Sequence, residues 1–287
     1  MTPSPGPAFG ALVATLAMGA CSRNQAALPG EAHRVVSLGP ATTEAMFAIG
    51  AGDRLVARSQ FCDWPPEATR LPAVGGIEPD IEAILQLAPD LVVGPSGQWS
   101  VRLSETMRAH GIATWFPEEV QSLPGVDAFI LGLGERTGHA GSARAVTEAL
   151  DAREQVVEGA VAGAPRPRVL LVAGLSPIVV AGPRTFASDL VAHAGAVNVV
   201  TDGSAWPTLD FERVIELDPD VILDVSVAES GAVTHITQDA SGWRGVRAVR
   251  QGHVVPIGDE RVLRPGPRIA EGLAVLVHAL HPDAIIP

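Results

Sequence analysis

The sequence predicts an α/β protein built from two β/α lobes with parallel sheets, joined by a long helix. A helix–strand unit occurs twice, as DIEAILQLAPDLVV over residues 80–93 and as DFERVIELDPDVIL over residues 210–223. Short apolar strands alternate with helices around both copies, which is typical of parallel α/β sheets. Between the copies, residues 122–162 carry apolar side chains at helical spacing. Together these three observations define the predicted fold class.

Each half of the chain predicts the same order of elements. A strand over 34–38 precedes a helix over 41–49 in the first half, and a strand over 168–172 precedes a helix over 185–193 in the second. The segments HGIATWF and QGHVVPI predict a closing strand in each half. We therefore expect a first lobe over residues 34–117, a helical hinge over 118–165 and a second lobe over 166–287.

The repeated unit itself indicates a helix followed by a buried strand. In the first copy, Asp80 is placed to cap the helix and Pro89 follows its end. The apolar face of this helix repeats at helical spacing in both copies. It consists of Ile81, Ile84 and Leu85 in the first copy and of Phe211, Val214 and Ile215 in the second.

Glu82 and Glu212 occupy the same position of the two copies, on the polar side of each helix. A carboxylate in the first turn of a helix gains a few tenths of a kcal/mol from the helix dipole. Any acid in that turn would give the same benefit, so the matched position is not explained by local stability alone.

The first lobe contains a loop longer than its counterpart. AIGAG and AHAGA lie 144 residues apart and Asp80 and Asp210 lie 130 apart, so the first lobe holds 14 additional residues (144 − 130) before its repeat. The excess falls within SQFCDWPPEATRLPAVGGIEP. Long loops rich in proline and glycine often carry function in compact lobes.

The start of the chain resembles an export signal. Its first 22 residues carry no charged side chain, and AFGALVATLAMGA precedes Cys21. We expect a signal peptide over 1–20, lipidation of Cys21 after cleavage, and a polar tether over 22–33. The protein would then be exported to the periplasm or cell envelope and touch the membrane only through its lipid. Cys62 would have no disulfide partner, and a packing role is favoured over that of a soft metal ligand.

Composition excludes several classes of function. The chain of 287 residues has a net charge of −12 and contains no lysine. Nucleic-acid binding requires a basic face, and both a lysine nucleophile and the phosphate-binding P-loop require lysine. The serine-hydrolase pattern G-x-S-x-G and the metal-binding patterns HxH and HExxH are missing from the sequence. We expect no enzyme, no resident cofactor and no metal site.

In parallel sheets, ligands bind at the carboxyl ends of the strands, and two such ends facing each other across a hinge form a large cleft. Three tryptophans lie on loops at the expected edge, namely Trp64, Trp99 and Trp206. Three arginines follow the last predicted strand, namely Arg261, Arg264 and Arg268. Each of these side chains also has a plausible packing or capping role. Trp115 and Trp243 fall within predicted regular elements, where packing is expected.

The order of motifs resembles a known family. RVVSLGPATTEAMFAIGAGDRLVA, CDWPPEA, LPAVGG, the repeated unit and DERVLRPGPRIAEGL are similar to the helical-hinge substrate-binding proteins of bacterial ABC importers, over about residues 33–284. The motifs are closest to those of the cobalamin-binding members. This resemblance implies two Rossmann-like lobes, a monomer, and delivery of a corrinoid to a permease dimer with ATPase subunits. It assigns Trp64, Trp206, Glu260 and Arg264 to the ligand cleft.

The resemblance also offers a role for the two glutamates. In the proteins that this sequence resembles, one glutamate of each lobe docks onto arginines of the two permease subunits. Glu82 and Glu212 are therefore predicted to contact the permease.

Several ligands remain candidates. A corrin is broad and fringed with amides, and it suits flat indoles with a few polar partners. A ferric siderophore would favour the arginine cluster and is the second candidate. Haem would require a Tyr or His ligand; the chain has no tyrosine, and of its histidines only His253 is expected near the cleft. A surface adhesin or sensor with the same fold is a further alternative.

Overall fold

The computed structural model describes residues 30–226 and 234–287. The predicted signal peptide, Cys21 and most of the predicted tether lie outside the described residues. No helix in the described ranges has both the length and the apolar character needed to cross a membrane.

The first lobe contains a four-stranded parallel sheet in the order β2-β1-β3-β4. Its strands are short and largely buried, which explains their continuous apolar sequence. They are β1 (Val35–Ser37), β2 (Leu55–Arg58), β3 (Leu91–Val93) and β4 (Ala113–Trp115). The helices of this lobe are α1 (Pro40–Ala48), α2 (Ile81–Gln86) and α3 (Gln98–Ala109). The long loop contains a turn of 3₁₀ helix over Pro66–Arg70.

Two helices connect the lobes, α4 (Leu123–Thr137) and α5 (Ala140–Gly159). They are separated at Gly138, whose φ of 75° lies in the left-handed region that glycine adopts without strain. The helices pack against each other, and α4 also contacts α1 and α6 (Phe186–His193) of the second lobe. The hinge is therefore a packed helical element rather than a pair of extended strands.

The second lobe contains a six-stranded sheet whose main path is β10-β9-β5-β6-β8, with β7 paired to β5. This sheet is mixed: β5 pairs in parallel with β7 and β9, as expected, but β6 runs antiparallel to β5 and to β8. A two-residue turn between β5 and β6 makes that hairpin. The strands are β5 (Arg168–Leu175), β6 (Ile178–Val180), β7 (Val197–Asn198), β8 (Thr208–Leu209), β9 (Val221–Asp224) and β10 (Val254–Pro256). The remaining helices are α7 (Phe211–Leu217), α8 (Arg247–Arg250) and α9 (Ile269–Leu280).

Both copies of the repeated unit form the predicted helix and strand. The side chain of Asp80 accepts a hydrogen bond from the Ala83 amide, and Asp210 accepts one from the Arg213 amide. These are equivalent N-caps. The predicted apolar face of α7 needs one correction, since Ile215 is exposed and Leu217 is buried beside Val214.

One continuous hydrophobic core joins the two lobes. It runs from β1 and α1 through α4 and α5 to α6 and α9. Each lobe also has a smaller hydrophobic cluster of its own, which packs on its sheet. The shared core resists independent movement of the lobes, because separating them would expose apolar surface along α4 and α5.

Candidate functional site

A cavity of about 660 Å³ lies between the two lobes. This volume falls within the usual range for small-molecule sites. The first lobe contributes the segments that follow β1, β3 and β4, which are residues 39–42, 94–96 and 117–120. The second lobe contributes the start of α6, Trp206 and the segment after β10. The first-lobe segments thus follow the carboxyl ends of parallel strands, as expected for α/β sheets.

Aromatic side chains form much of the apolar wall of this cavity. Phe129 comes from α4, Phe186 from α6 and Trp206 from the segment before β8. Trp206 is 38% exposed, which is high for so large an apolar side chain. The wall therefore offers a flat indole of which more than a third is accessible.

The backbone around Trp206 is held against the end of β6. The Gly182 amide donates to the Ala205 carbonyl over 2.7 Å, and the Val180 amide donates to the Pro207 carbonyl over 3.1 Å. A Cβ atom at Gly182 would lie 2.2 Å from the Ser204 carbonyl oxygen. Glycine is thus required at position 182 for this close approach of two backbones.

Arg264 connects the lobes at one side of the cavity. Its Nη1 lies 2.7 Å from Oε1 of Glu44 and 3.2 Å from Oδ1 of Asp63, both in the first lobe. Its Nη2 donates to the Glu260 carboxylate. The guanidinium is therefore shared among three carboxylates from three separate segments.

Glu44 is the buried member of this network, with only 3% of its surface exposed. Burial raises the pKa of its carboxyl group, and the hydrogen bond and charge of Arg264 partly offset this rise. The loss of hydration also opposes the charge of Arg264, but its carboxylate partners raise the pKa of the guanidinium overall. Each group thus stabilises the charged form of the other.

Arg268 extends the network to Trp64. Its guanidinium lies 4.4 Å from the centre of the Trp64 ring, a cation–π contact. Its Nη1 is also 3.8 Å from Glu44. Arg261 is bound by Asp259 and Glu271, and Glu271 also lies 3.8 Å from Nε of Arg268. All three arginines of the predicted cluster are therefore engaged by carboxylates within the protein.

Three of the five predicted ligand residues line the cavity: Trp206, Glu260 and Arg264. Trp64 is outside the lining, and its ring is contacted by Arg268. Trp99 belongs instead to α3, where it packs edge-on against Phe116 with ring centres 5.4 Å apart. Trp99 is therefore absent from the cavity lining, since the chain forms a helix from Gln98 and the partly buried indole packs on Phe116.

The structure corrects one further expectation and agrees with others. His253 precedes β10 at its amino end, and its amide is bound to the Ala248 carbonyl, so it does not border the cavity. Trp115 and Trp243 are buried as predicted. Cys62 is a buried free thiol whose pKa is raised by burial.

Sequence reasoning missed several residues of the cavity and its network. Glu44 is the only acidic residue of the segment ATTEAMFA, and this isolated charge is the feature that could have indicated its role. Glu118 and Glu119 follow β4 and line the cavity. Their position after a parallel strand could have predicted this, because the residues after β3 were placed at the cleft for the same reason.

Glu82 and Glu212 occupy the first turns of α2 and α7 and are exposed. Among the ion pairs formed within residues 30–226 and 234–287, none involves either glutamate. Both carboxylates are thus available to an external partner.

The known proteins that are similar to this chain are binding proteins of one kind. The chain is 29% identical over 266 residues to the cobalamin-binding protein of Halobacterium salinarum, covering 90% of this chain and 72% of that one. It is 26% identical over 259 residues to the Bacillus subtilis protein YvrC, described as an uncharacterized ABC transporter substrate-binding lipoprotein, covering 88% and 81% of the two chains.

The fold matches a solved structure of the same kind. The periplasmic haem-binding protein BhuT in complex with two haems superposes with a TM-score of 0.75 at 28% identity, covering 88% of this chain and 98% of that one. These similar proteins are binding proteins rather than enzymes. The family model for periplasmic binding proteins matches residues 35–260. The chain therefore belongs to the periplasmic binding protein family.

Proposed function

We propose that this protein captures cobalamin or a related corrinoid in the cleft between its lobes and delivers it to an ABC importer. The observation that carries the proposal is the cavity wall formed by Trp206 and two phenylalanines, with Arg264 and Glu260 at one side. Such a wall suits the broad apolar face of a corrin, and the charged pair suits its peripheral amides. The similarity to a protein named as cobalamin-binding supports the same ligand.

Trp206, Glu260 and Arg264 would contact the ligand directly. Trp64, held by Arg268, would add a second indole at the edge of the cleft. The corrinoid would be transported cargo, and the binding protein would need no resident cofactor.

The alternative ligands fit the site less well. The similarity to the haem-binding protein BhuT makes haem one alternative ligand. However, the chain has no tyrosine, and no histidine is among the described residues that line the cavity. An anionic ferric siderophore would need free cations, whereas Arg261, Arg264 and Arg268 are already paired with carboxylates.

Membership of the family implies an exported protein. We further propose that Cys21 carries a lipid anchor and that the monomer docks onto a permease dimer with ATPase subunits. The similarity to a substrate-binding lipoprotein supports both points. The exposed Glu82 and Glu212 would provide the two contacts with the permease.

Isothermal titration calorimetry with purified protein tests the ligand. Cyanocobalamin, haemin and a ferric hydroxamate siderophore should be titrated separately under identical conditions. We expect saturable binding of cyanocobalamin only. Tight binding of the siderophore or haemin without binding of cyanocobalamin would contradict the proposal and support the corresponding alternative.

A further inference from the structure

Carboxylates outnumber arginines among the charged side chains beside the cavity. Three arginines contact five carboxylates in one connected region. The arginines are Arg261, Arg264 and Arg268, and the carboxylates belong to Glu44, Asp63, Asp259, Glu260 and Glu271. Each of these three guanidinium groups is already paired with at least one carboxylate.

Two further carboxylates line the cavity from the first-lobe segment that follows β4. Glu118 and Glu119 follow β4, are exposed and line the cavity. The ion pairs formed within the described ranges include neither of them. A charged ligand in the cavity would lie within a Debye length of both carboxylates, so that it would interact with their charges most strongly at low ionic strength.

Arg264, the one arginine among the described residues that line the cavity, does not offset these two carboxylates. Nη1 of Arg264 donates to Glu44 and Asp63, and Nη2 donates to Glu260. Rotating Arg264 toward an anionic ligand would leave Glu44 buried without its nearest cation, which is unfavourable. The network thus keeps Arg264 neutralised while Glu118 and Glu119 remain unpaired.

We infer that the cleft selects its ligand by charge, with Glu118 and Glu119 as specificity-determining residues that favour cationic corrinoids and disfavour anionic ones. This inference rests on the proposed corrinoid function and adds the charge of the preferred form. Electrostatic complementarity across a binding site discriminates among ligands of the same shape.

Three cobalamins with different upper axial ligands provide a matched series. Aquacobalamin carries one positive charge, cyanocobalamin is neutral, and sulfitocobalamin carries one negative charge, while the corrin and its side chains are the same. Calorimetry at mildly acidic pH keeps the axial water of aquacobalamin protonated. The visible spectrum of each complex shows whether the protein has displaced the axial ligand.

We expect affinity to fall in the order aqua, cyano, sulfito, with roughly threefold to tenfold between neighbours at low ionic strength. Added salt should reduce these ratios. In the double variant Glu118→Gln, Glu119→Gln, the ratio of aqua to sulfito affinity should shrink at least severalfold. The double variant Glu105→Gln, Glu148→Gln is the matched control, because it removes two exposed carboxylates that do not line the cavity.

The outcomes separate the two proposals. Equal affinities for all three cobalamins, or an equal loss of discrimination in the control variant, would overturn the charge selection and leave corrinoid capture intact. Failure to bind any of the three would overturn the proposed function, and the charge inference with it. Displacement of the axial water, seen in the spectrum, would overturn the charge inference, because a direct bond from the protein to cobalt would then explain the tight binding of aquacobalamin.

Discussion

Oε1 of Glu44 in the first lobe lies 2.7 Å from Nη1 of Arg264 in the second, although the two residues are 220 positions apart in the chain. Nearby, a Cβ atom at Gly266 would lie 3.4 Å from Cβ of Ala41. The ion pair and this close backbone approach bring the lobes together beside the cavity. The geometry of the binding site therefore depends on a contact that neither lobe makes alone.

We expect Arg264→Ala to destabilise the protein at neutral pH by roughly 3–5 kcal/mol, because Glu44 would remain buried without its nearest cation. The loss should be smaller at acid pH, since the unpaired carboxyl group can then be protonated. Urea unfolding of single and double variants with Glu44→Gln measures the coupling. Strictly additive effects of the two substitutions would contradict the energetic importance of this pair.

Trp206→Ala should weaken corrinoid binding by roughly 1–3 kcal/mol, as expected for loss of an aromatic anchor. The fold should remain intact because the indole is substantially exposed. Trp99→Ala is the matched control, since Trp99 packs on Phe116 away from the cavity; it should lower stability and leave affinity unchanged. Unchanged affinity together with a lowered melting temperature in Trp206→Ala would instead indicate a packing role.

Glu82→Ala combined with Glu212→Ala should abolish transport and binding to the permease complex. Ligand affinity should stay within a factor of about two, because neither residue lines the cavity. Exposed ion pairs are individually weak, so each single variant should retain part of its activity and be more sensitive to salt. Normal transport by the double variant would return both glutamates to a local role in helix stability.

Glu154 should make stability depend on pH. Burial, together with the charge of Asp127 and other nearby acids, raises the pKa of Glu154 to about 8. The folded protein therefore holds this proton more tightly than the unfolded chain. The contribution of Glu154 to stability should be fully present below the unfolded pKa of about 4 and be lost as the pH rises toward about 8.

The variant Glu154→Gln tests this dependence by chemical unfolding at acid and alkaline pH. It should be more stable than the parent protein by up to roughly 5 kcal/mol at about pH 9 and similar to it at about pH 4. Glu148→Gln removes an exposed carboxylate from the same helix and should show no such pH-dependent gain. A gain that is equal at both pH values would contradict the assignment.

Cys21→Ser should release the exported protein from the membrane fraction if Cys21 carries the lipid. Fractionation of cells that express the parent and the variant, together with labelling by a radioactive fatty acid, provides the measurement. Labelling of the parent alone is expected. Equal labelling of both proteins, or of neither, would contradict lipidation at this residue.

The sequence by itself determined the repeated unit, its caps and the class of the fold. Asp80 and Asp210 bind amides three residues away, and Pro89 and Pro219 follow the helices that they were expected to end. These features depend on hydrogen bonds and backbone restrictions within one turn of chain. Their outcome is therefore encoded locally and does not require knowledge of the partner lobe.

Only the tertiary structure decided which side chains meet at the cleft. It joined Glu44 to Arg264, brought Glu118 and Glu119 to the cavity, and packed Trp99 against Phe116. It also reversed β6 within the second sheet. The physical reason is that these contacts depend on how the shared core around α4 and α5 orients two separate sheets, and no local pattern encodes that orientation.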